Sequence, residues 1–327
     1  MTQSAPLLDV KDLKVSFSIK KGISLFSRDK RCVQAVNGIS FSLERGETLA
    51  VVGESGCGKT TVGRTIVGLN PPTEGKILFE GQDLGQLSYA QMRPLRRKIQ
   101  FIFQDPYSSL NPRMTVFQTL QRSMLVNGIC TAEEVPKRAH ELIRMVGLSE
   151  DHLLRFPHEF SGGQRQRICI ARALAVHPDL IIADEPTAAL DVSIQSQILN
   201  LLLQLKRELN LTMIFISHDL SVVNYISDRT AVMYLGSIVE LGRSREVFAD
   251  PMHPYTRALL EAVPRKEHGR TERREKLKGS IPSPIDPPSG CTLHPRCPYA
   301  TERCAVEKPE LRSVGERRVA CWLHSAS

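Results

Sequence analysis

The chain has 327 residues, 41% of them hydrophobic and 24% charged, with a formal net charge of +8. Those proportions match ordinary globular domains and exclude a disordered or membrane-embedded class, and the length asks for a main domain plus an appended piece. No run approaches the ~18 consecutive apolar residues of a membrane span, and MTQSAPLLDVKDLK lacks the basic-then-apolar pattern of a leader, so the chain is expected to be neither exported nor spanning.

From Leu7 to Leu43 apolar and polar residues alternate, in LLDVKDLKVSF and CVQAVNGISFSL, around a polar, glycine-containing stretch. That period of two predicts antiparallel strands. TLAVV (48–52) is apolar throughout, ends in a glycine-rich loop and leads into TTVGRTIVGL, whose apolar positions recur at helical spacing, so a buried strand, a loop and a helix follow one another. Between about residues 112 and 176 helical signals dominate, notably AEEVPKRAHELIRMVGL with Val135, Ala139, Leu142, Ile143 and Val146 on one face, which predicts an inserted helical subdomain. LIIAD (180–184) and TMIFIS (212–217) are two more buried strands. The helix between them carries Ile194, Ile198, Leu201, Leu202, Leu205 and Leu209 as one stripe. Strands and helices in this alternation specify a parallel α/β sheet. TAVMYLGSIVEL reads as a hairpin turning at Gly236-Ser237. Beyond it the composition shifts to Pro, Gly, Arg and Cys, so the main domain is expected to span 1–254 and the appended piece 255–327. The basic run PRKEHGRTERREKLKG (264–279), interrupted by Glu267, Glu272 and Glu275, has two readings, a solvated linker or a contact with acidic headgroups.

The loop GESGCGKT (53–60) fits G-x-x-x-x-G-K-S/T and sits between a buried strand and a helix, where its mechanism requires it. Its backbone N–H groups, from Gly53, Glu54, Ser55, Gly56, Cys57 and Gly58 into Lys59, Thr60 and Thr61, face a helix N-terminus and make a nest for phosphates. Glycine lets the backbone wrap without a Cβ in the way. Lys59 is suited to the β- and γ-phosphates and the Thr60 hydroxyl to Mg²⁺. Cys57 reads either as an inert small residue or as a thiol activated by the helix N-terminus. In LIIADE the four apolar residues deliver Asp184 to the carboxyl end of a buried strand, where α/β sheets bind ligands. Asp184 suits Mg²⁺ and Glu185 suits a general base polarising water, the alternative being a helix-capping acidic pair. FSGGQRQRICIARAL (160–174) puts Ser161, Gly162 and Gly163 at a second anion-binding helix start, which one bound nucleotide does not need. Two chains paired head to tail would use it, each covering the γ-phosphate held by the other.

With that motif the chain resembles the ABC ATPases, whose signature is LSGGQ; Phe160 here replaces the leucine. The resemblance runs from about Leu7 to Pro254 and implies further roles. Gln104 in FIFQDP matches the glutamine that contacts Mg²⁺ and water and senses the permease. Gln164 completes the signature, Asp191 ends the D-loop AALD, and His218 in ISHD matches the γ-phosphate sensor. Phe17 stands where the family stacks an aromatic on adenine. Read alone, His218 is a packed or surface histidine, Gln104 a surface amide and Phe17 a core aromatic.

The segments DPMHPYTRALLEAVPR and SIPSPIDPPSGCTLHPRCPYATERC resemble the C-terminus of ATP-binding subunits of dipeptide and oligopeptide permeases. Here Cys291, Cys297, Cys304 and Cys321 hold half of the eight cysteines, reduced if the chain is not exported. Three readings stay open for them: a 4Fe–4S cluster, which the resemblance implies for some members, a structural zinc, or plain buried thiols. Few large apolar residues follow Ser280, so metal–thiolate bonds are expected to supply the missing core. The resemblance implies an α/β P-loop ATPase with an antiparallel β subdomain and a helical insert, using ATP and Mg²⁺. It further implies a homologous second ATPase subunit, two transmembrane permease subunits, an extracytoplasmic binding protein acting indirectly, and a peripheral place on the cytoplasmic face of the membrane. Nucleic acid is not an expected partner. The rival soluble ABC ATPase acting on nucleic acid or ribosomes would need a long coiled-coil insertion or tandem cassettes, and cargo such as nickel or haem in place of peptide is chosen by other subunits.

Overall fold

The computed structural model describes residues 5–18, 32–262 and 277–324, so most of the basic run 264–279 lies outside the described residues. The chain divides into two compact units, one made of 1–44, 48–85 and 216–327, the other of 45–47 and 86–215.

In the first unit, strand Leu8–Ser18 lies between Cys32–Leu43 and Glu74–Phe79, with the short Gln82–Asp83 outside, all antiparallel. The alternation does what it predicts: Leu8, Val10, Leu13 and Val15 are buried. The register slips between Val10 and Leu13, where Asp12 takes φ 47. A bulge of this kind needs a partner for its displaced groups. Ser40 provides it, accepting from the Asp12 N–H at 2.9 Å and donating to its carboxylate at 3.0 Å.

The same unit holds five strands in the order Arg312–Val314, Arg317–Val319, Ser237–Arg243, Arg229–Tyr234, Thr48–Val52. The last pair is parallel and the others antiparallel. Thr48–Val52 is buried at every position, as an apolar run without alternation requires. The hairpin turns at Leu235 and Gly236, one residue earlier than its sequence suggests, with φ of 41 and 77. Two positive φ values give the turn whose twist matches that of the strands, and this decides the register. The tail joins the sheet: Arg317–Val319 pairs through Glu240↔Val319 and Leu241↔Arg318.

In the second unit, Ile99–Ile102 runs parallel to Leu180–Asp184, and Thr212–Ser217 follows in the same sheet. Its helices include Val116–Val126, Val135–Met145, Gly162–Leu174 and Val192–Leu209. Val135, Ala139, Leu142, Ile143 and Val146 are all buried, the face their spacing predicts. Thr115 with Gln118, and Ser161 with Gln164, close reciprocal side-chain caps at two helix starts, which satisfies N–H groups that otherwise lack partners. In Val192–Leu209 the buried stripe stops at Leu205. Leu209, the last residue of the helix, is exposed, and Asn210 after it adopts the left-handed conformation that ends the helix.

Candidate nucleotide-binding site

The phosphate loop, in the first unit, leaves strand Thr48–Val52 and enters helix Lys59–Ile66. Two of its glycines have no substitute. A Cβ on Gly53 would stand 2.2 Å from the Met233 carbonyl oxygen, and one on Gly58, at φ +103, would stand 2.1 Å from that of Ala35. Backbone cannot yield as a side-chain tip can, so both positions exclude any larger residue. Lys59 is buried and its ammonium donates to the carbonyls of Gly53, at 2.8 Å, and Glu54, at 3.0 Å. Ser55 and Gly56 are exposed, and Thr60 and Thr61 are half-buried. Cys57 is only 5% exposed, and burial pushes its thiol above the usual range despite the Lys59 charge nearby. Of the two readings of Cys57, the geometry supports the inert one. Phe17, near the end of its strand, is 41% exposed. His218, directly after Thr212–Ser217, is exposed as well.

In the second unit, Asp184 ends its strand 2% exposed. The next residue, Glu185, is held at φ 46, a left-handed conformation that costs a non-glycine residue about 1–3 kcal/mol and clusters at active sites. Its carboxylate accepts from the Gln104 amide at 3.0 Å. Two residues singled out separately by the sequence therefore meet in one hydrogen bond. The Ser161 and Gln164 side chains cap their own helix, with Gln164 accepting from the Ser161 N–H at 3.0 Å and Ser161 from the Gln164 N–H at 3.4 Å. Gly163 has a packing reason of its own: a Cβ there would stand 2.4 Å from Ile194 Cγ2. Asp191 precedes helix Val192–Leu209 without a capping bond from its side chain.

Residues 36–188 match the ABC transporter model, and residues 239–304 match the model described as oligopeptide/dipeptide transporter, C-terminal region. The chain is 51% identical to the oligopeptide transport ATP-binding protein AppF of Bacillus subtilis, over 98% of each chain. It is 48% identical to the dipeptide transport ATP-binding protein DppF of Escherichia coli, over 98% of this chain and 95% of that one. This chain belongs to the ATP-binding subunits of the peptide ABC transporters. Its fold agrees: the dimeric ATP-binding cassette MJ0796, solved in a post-hydrolysis state with ADP and Pi, superposes with a TM-score of 0.64 at 29% identity, over 73% of this chain and 99% of that one. Members of this ABC family hydrolyse ATP, and ATP with Mg²⁺ fits an ABC ATPase. Neither a cassette acting on nucleic acid nor one on ribosomes is favoured by these relatives. Among the described residues no helix is long and apolar enough to cross a membrane.

One expectation for this ABC subunit is overturned. Among the described residues no group of three or more His, Cys, Asp or Glu is arranged to hold a metal ion. The iron–sulfur reading of Cys291, Cys297, Cys304 and Cys321 is therefore corrected, and the zinc alternative has no support either. None of the four forms a disulfide, and all line a cavity of about 190 Å³ beside Leu293 and Trp322. Burial pushes the Cys291 thiol up to about 11 and that of Cys321 upward too. The tail is ordered by other means. Two of its strands extend the sheet. Arg317 pairs with Asp250 at 3.0 Å and reaches the fully buried Glu240 at 3.7 Å. Trp322 donates to the Glu307 carbonyl at 3.1 Å and lies under Arg303, 3.6 Å from the ring centre. Strand pairing and the contacts of Arg317 and Arg303 thus order a tail with few large apolar side chains.

Proposed function

We propose that this subunit drives peptide import by closing, with ATP bound, against a homologous but non-identical ATPase subunit, and reopening on hydrolysis. Two transmembrane permease subunits would receive that motion through the surface around Gln104, at the cytoplasmic face of the membrane, while a separate binding protein and the permease select the cargo. Phe17 stacks on the base, the 53–60 loop holds the phosphates, and the signature from Ser161 to Gln164 reaches the partner's nucleotide. Thr60 and Asp184 are the oxygen donors that suit Mg²⁺, which when bound neutralises phosphate charge. Glu185 takes the proton of the attacking water, and His218 contacts the γ-phosphate.

The observation that carries this reading is the Gln104–Glu185 hydrogen bond. A glutamine that senses the permease is tied to the base it regulates, so hydrolysis is coupled to transport at one contact. The test is Glu185→Gln in the assembled transporter. ATP binding is expected to persist while turnover falls by about 10²-fold or more, because the water loses its base and the phosphate nest remains. Wild-type turnover in that variant would refute the role of Glu185.

A further inference from the structure

Glu54 is the second residue of the phosphate loop, and each of its polar groups is fixed by another residue. Its carbonyl accepts from Lys59, within the loop. Its N–H and its carboxylate are held from the far end of the chain. The Tyr255 hydroxyl accepts the Glu54 N–H at 2.8 Å. The Arg296 guanidinium grips the carboxylate with both terminal nitrogens, at 3.1 and 3.4 Å, and donates at 3.4 Å to the Tyr234 hydroxyl. Tyr234 and Tyr255 are fully buried, with ring centres 4.7 Å apart, and Arg296 is 7% exposed. Arg296 is itself held in place. Its N–H donates to the Leu293 carbonyl at 2.8 Å, its carbonyl accepts from Lys278 at 3.1 Å, and Leu293 is 1% exposed.

A carboxylate on a phosphate-binding loop is an electrostatic liability, since it faces an anionic ligand across a partly desolvated space. A buried, two-pronged arginine cancels that charge with little screening by salt, and fixes the peptide on which the nest is built. Arg296 and Tyr255 both lie in the 239–304 region, outside the 36–188 cassette match. We infer that the C-terminal region is a working part of the nucleotide site: Arg296, with Tyr255, acts as a positioning residue that neutralises Glu54 and sets the shape of the phosphate loop, so that ATP affinity depends on the tail. The inference rests on the family's ATP binding and not on the catalytic roles proposed for Glu185 or Gln104.

The experiment uses the assembled transporter, with ATPase KM and kcat measured alongside the Kd of a fluorescent ATP analogue. Arg296→Gln leaves Glu54 uncompensated, and KM and Kd for ATP are expected to rise about tenfold while kcat changes by about twofold or less. Arg296→Gln with Glu54→Gln removes the stranded charge, and KM should return to within about threefold of wild type. A purely structural role would predict no such rescue. An unchanged KM in Arg296→Gln overturns the inference, and so does an equal rise in the single and double variants. Should Arg296→Gln fail to assemble, Arg296→Lys carries the test. Its ammonium keeps the charge and loses one of the two bonds, so KM should rise about two- to threefold, and an unchanged KM overturns the inference. None of these readouts depends on the water-activating base, so failure of the Glu185 assignment would show separately, in kcat.

Discussion

Acidification should weaken the first unit through His253, and the size of the effect follows from its surroundings. His253 is 1% exposed, and its Nδ1 accepts the Tyr255 N–H at 3.1 Å, capping helix Pro254–Glu261. That acceptor exists only while the ring is neutral. Burial first, then the neighbouring His324 and Arg257, lower the pKa from 6.5 to about 3, against a smaller opposing contribution from the Ala320 backbone. Between those values the unfolded chain holds one proton more than the folded chain, so stability falls as pH falls. It is fully retained above 6.5, declines by about 1.4 kcal/mol per pH unit, and loses at most roughly 5 kcal/mol across the window. His253→Asn keeps an acceptor for the Tyr255 N–H and does not titrate. Urea unfolding at about pH 6.5 and about pH 5 should therefore show wild type losing about 2 kcal/mol more than the variant over that interval. Parallel losses, equal within about 0.5 kcal/mol, would refute the reasoning.

Gly163→Ala places a methyl 2.4 Å from Ile194 Cγ2, and the stiff β-branched side chain cannot turn aside, so a loss of about 1–3 kcal/mol is expected from thermal unfolding. Pairing it with Ile194→Ala should recover much of that loss; if the double variant is no more stable than Gly163→Ala, packing is not the reason for the glycine. Cys57, at 5% exposure and with its thiol pushed up by burial, should react with a maleimide at least about tenfold more slowly in the native protein than in urea. Rapid native labelling blocked by ATP would restore the activated-thiol reading.

Much of the nucleotide site was legible in the sequence because it is written in contiguous stretches. The apolar runs 48–52, 180–184 and 212–217 can only be buried strands, and the loop 53–60 needs its glycines for a reason visible in one dimension. What the motifs left out is the reason for particular residues within them. Ser161 and Gln164 look like ligand contacts, yet S-x-x-Q is also a helix cap, and the structure uses it as one. A capping-box reading of the residues themselves would have found this. Leu209 fits the helical stripe, yet as the last residue of its helix it is exposed. The four tail cysteines suggested metal through their number, the resemblance and the sparse apolar core around them, none of which reports the arrangement of side chains in space.

By itself the sequence determined the order of strands and helices, the phosphate loop, the acidic strand end and the family, since each depends on local periodicity or on a short motif whose chemistry requires those residue types. Only the tertiary structure decided which distant residues serve that loop. Arg296 and Tyr255 lie some 200 residues or more beyond Glu54, with |i−j| of 242 and 201, in segments with no pattern pointing back to it. Their approach follows from the pairing of Thr48–Val52 with Arg229–Tyr234 and from the burial of Tyr234 and Tyr255 beneath the loop. Contacts of that range are set by how whole elements pack, and no local propensity encodes them.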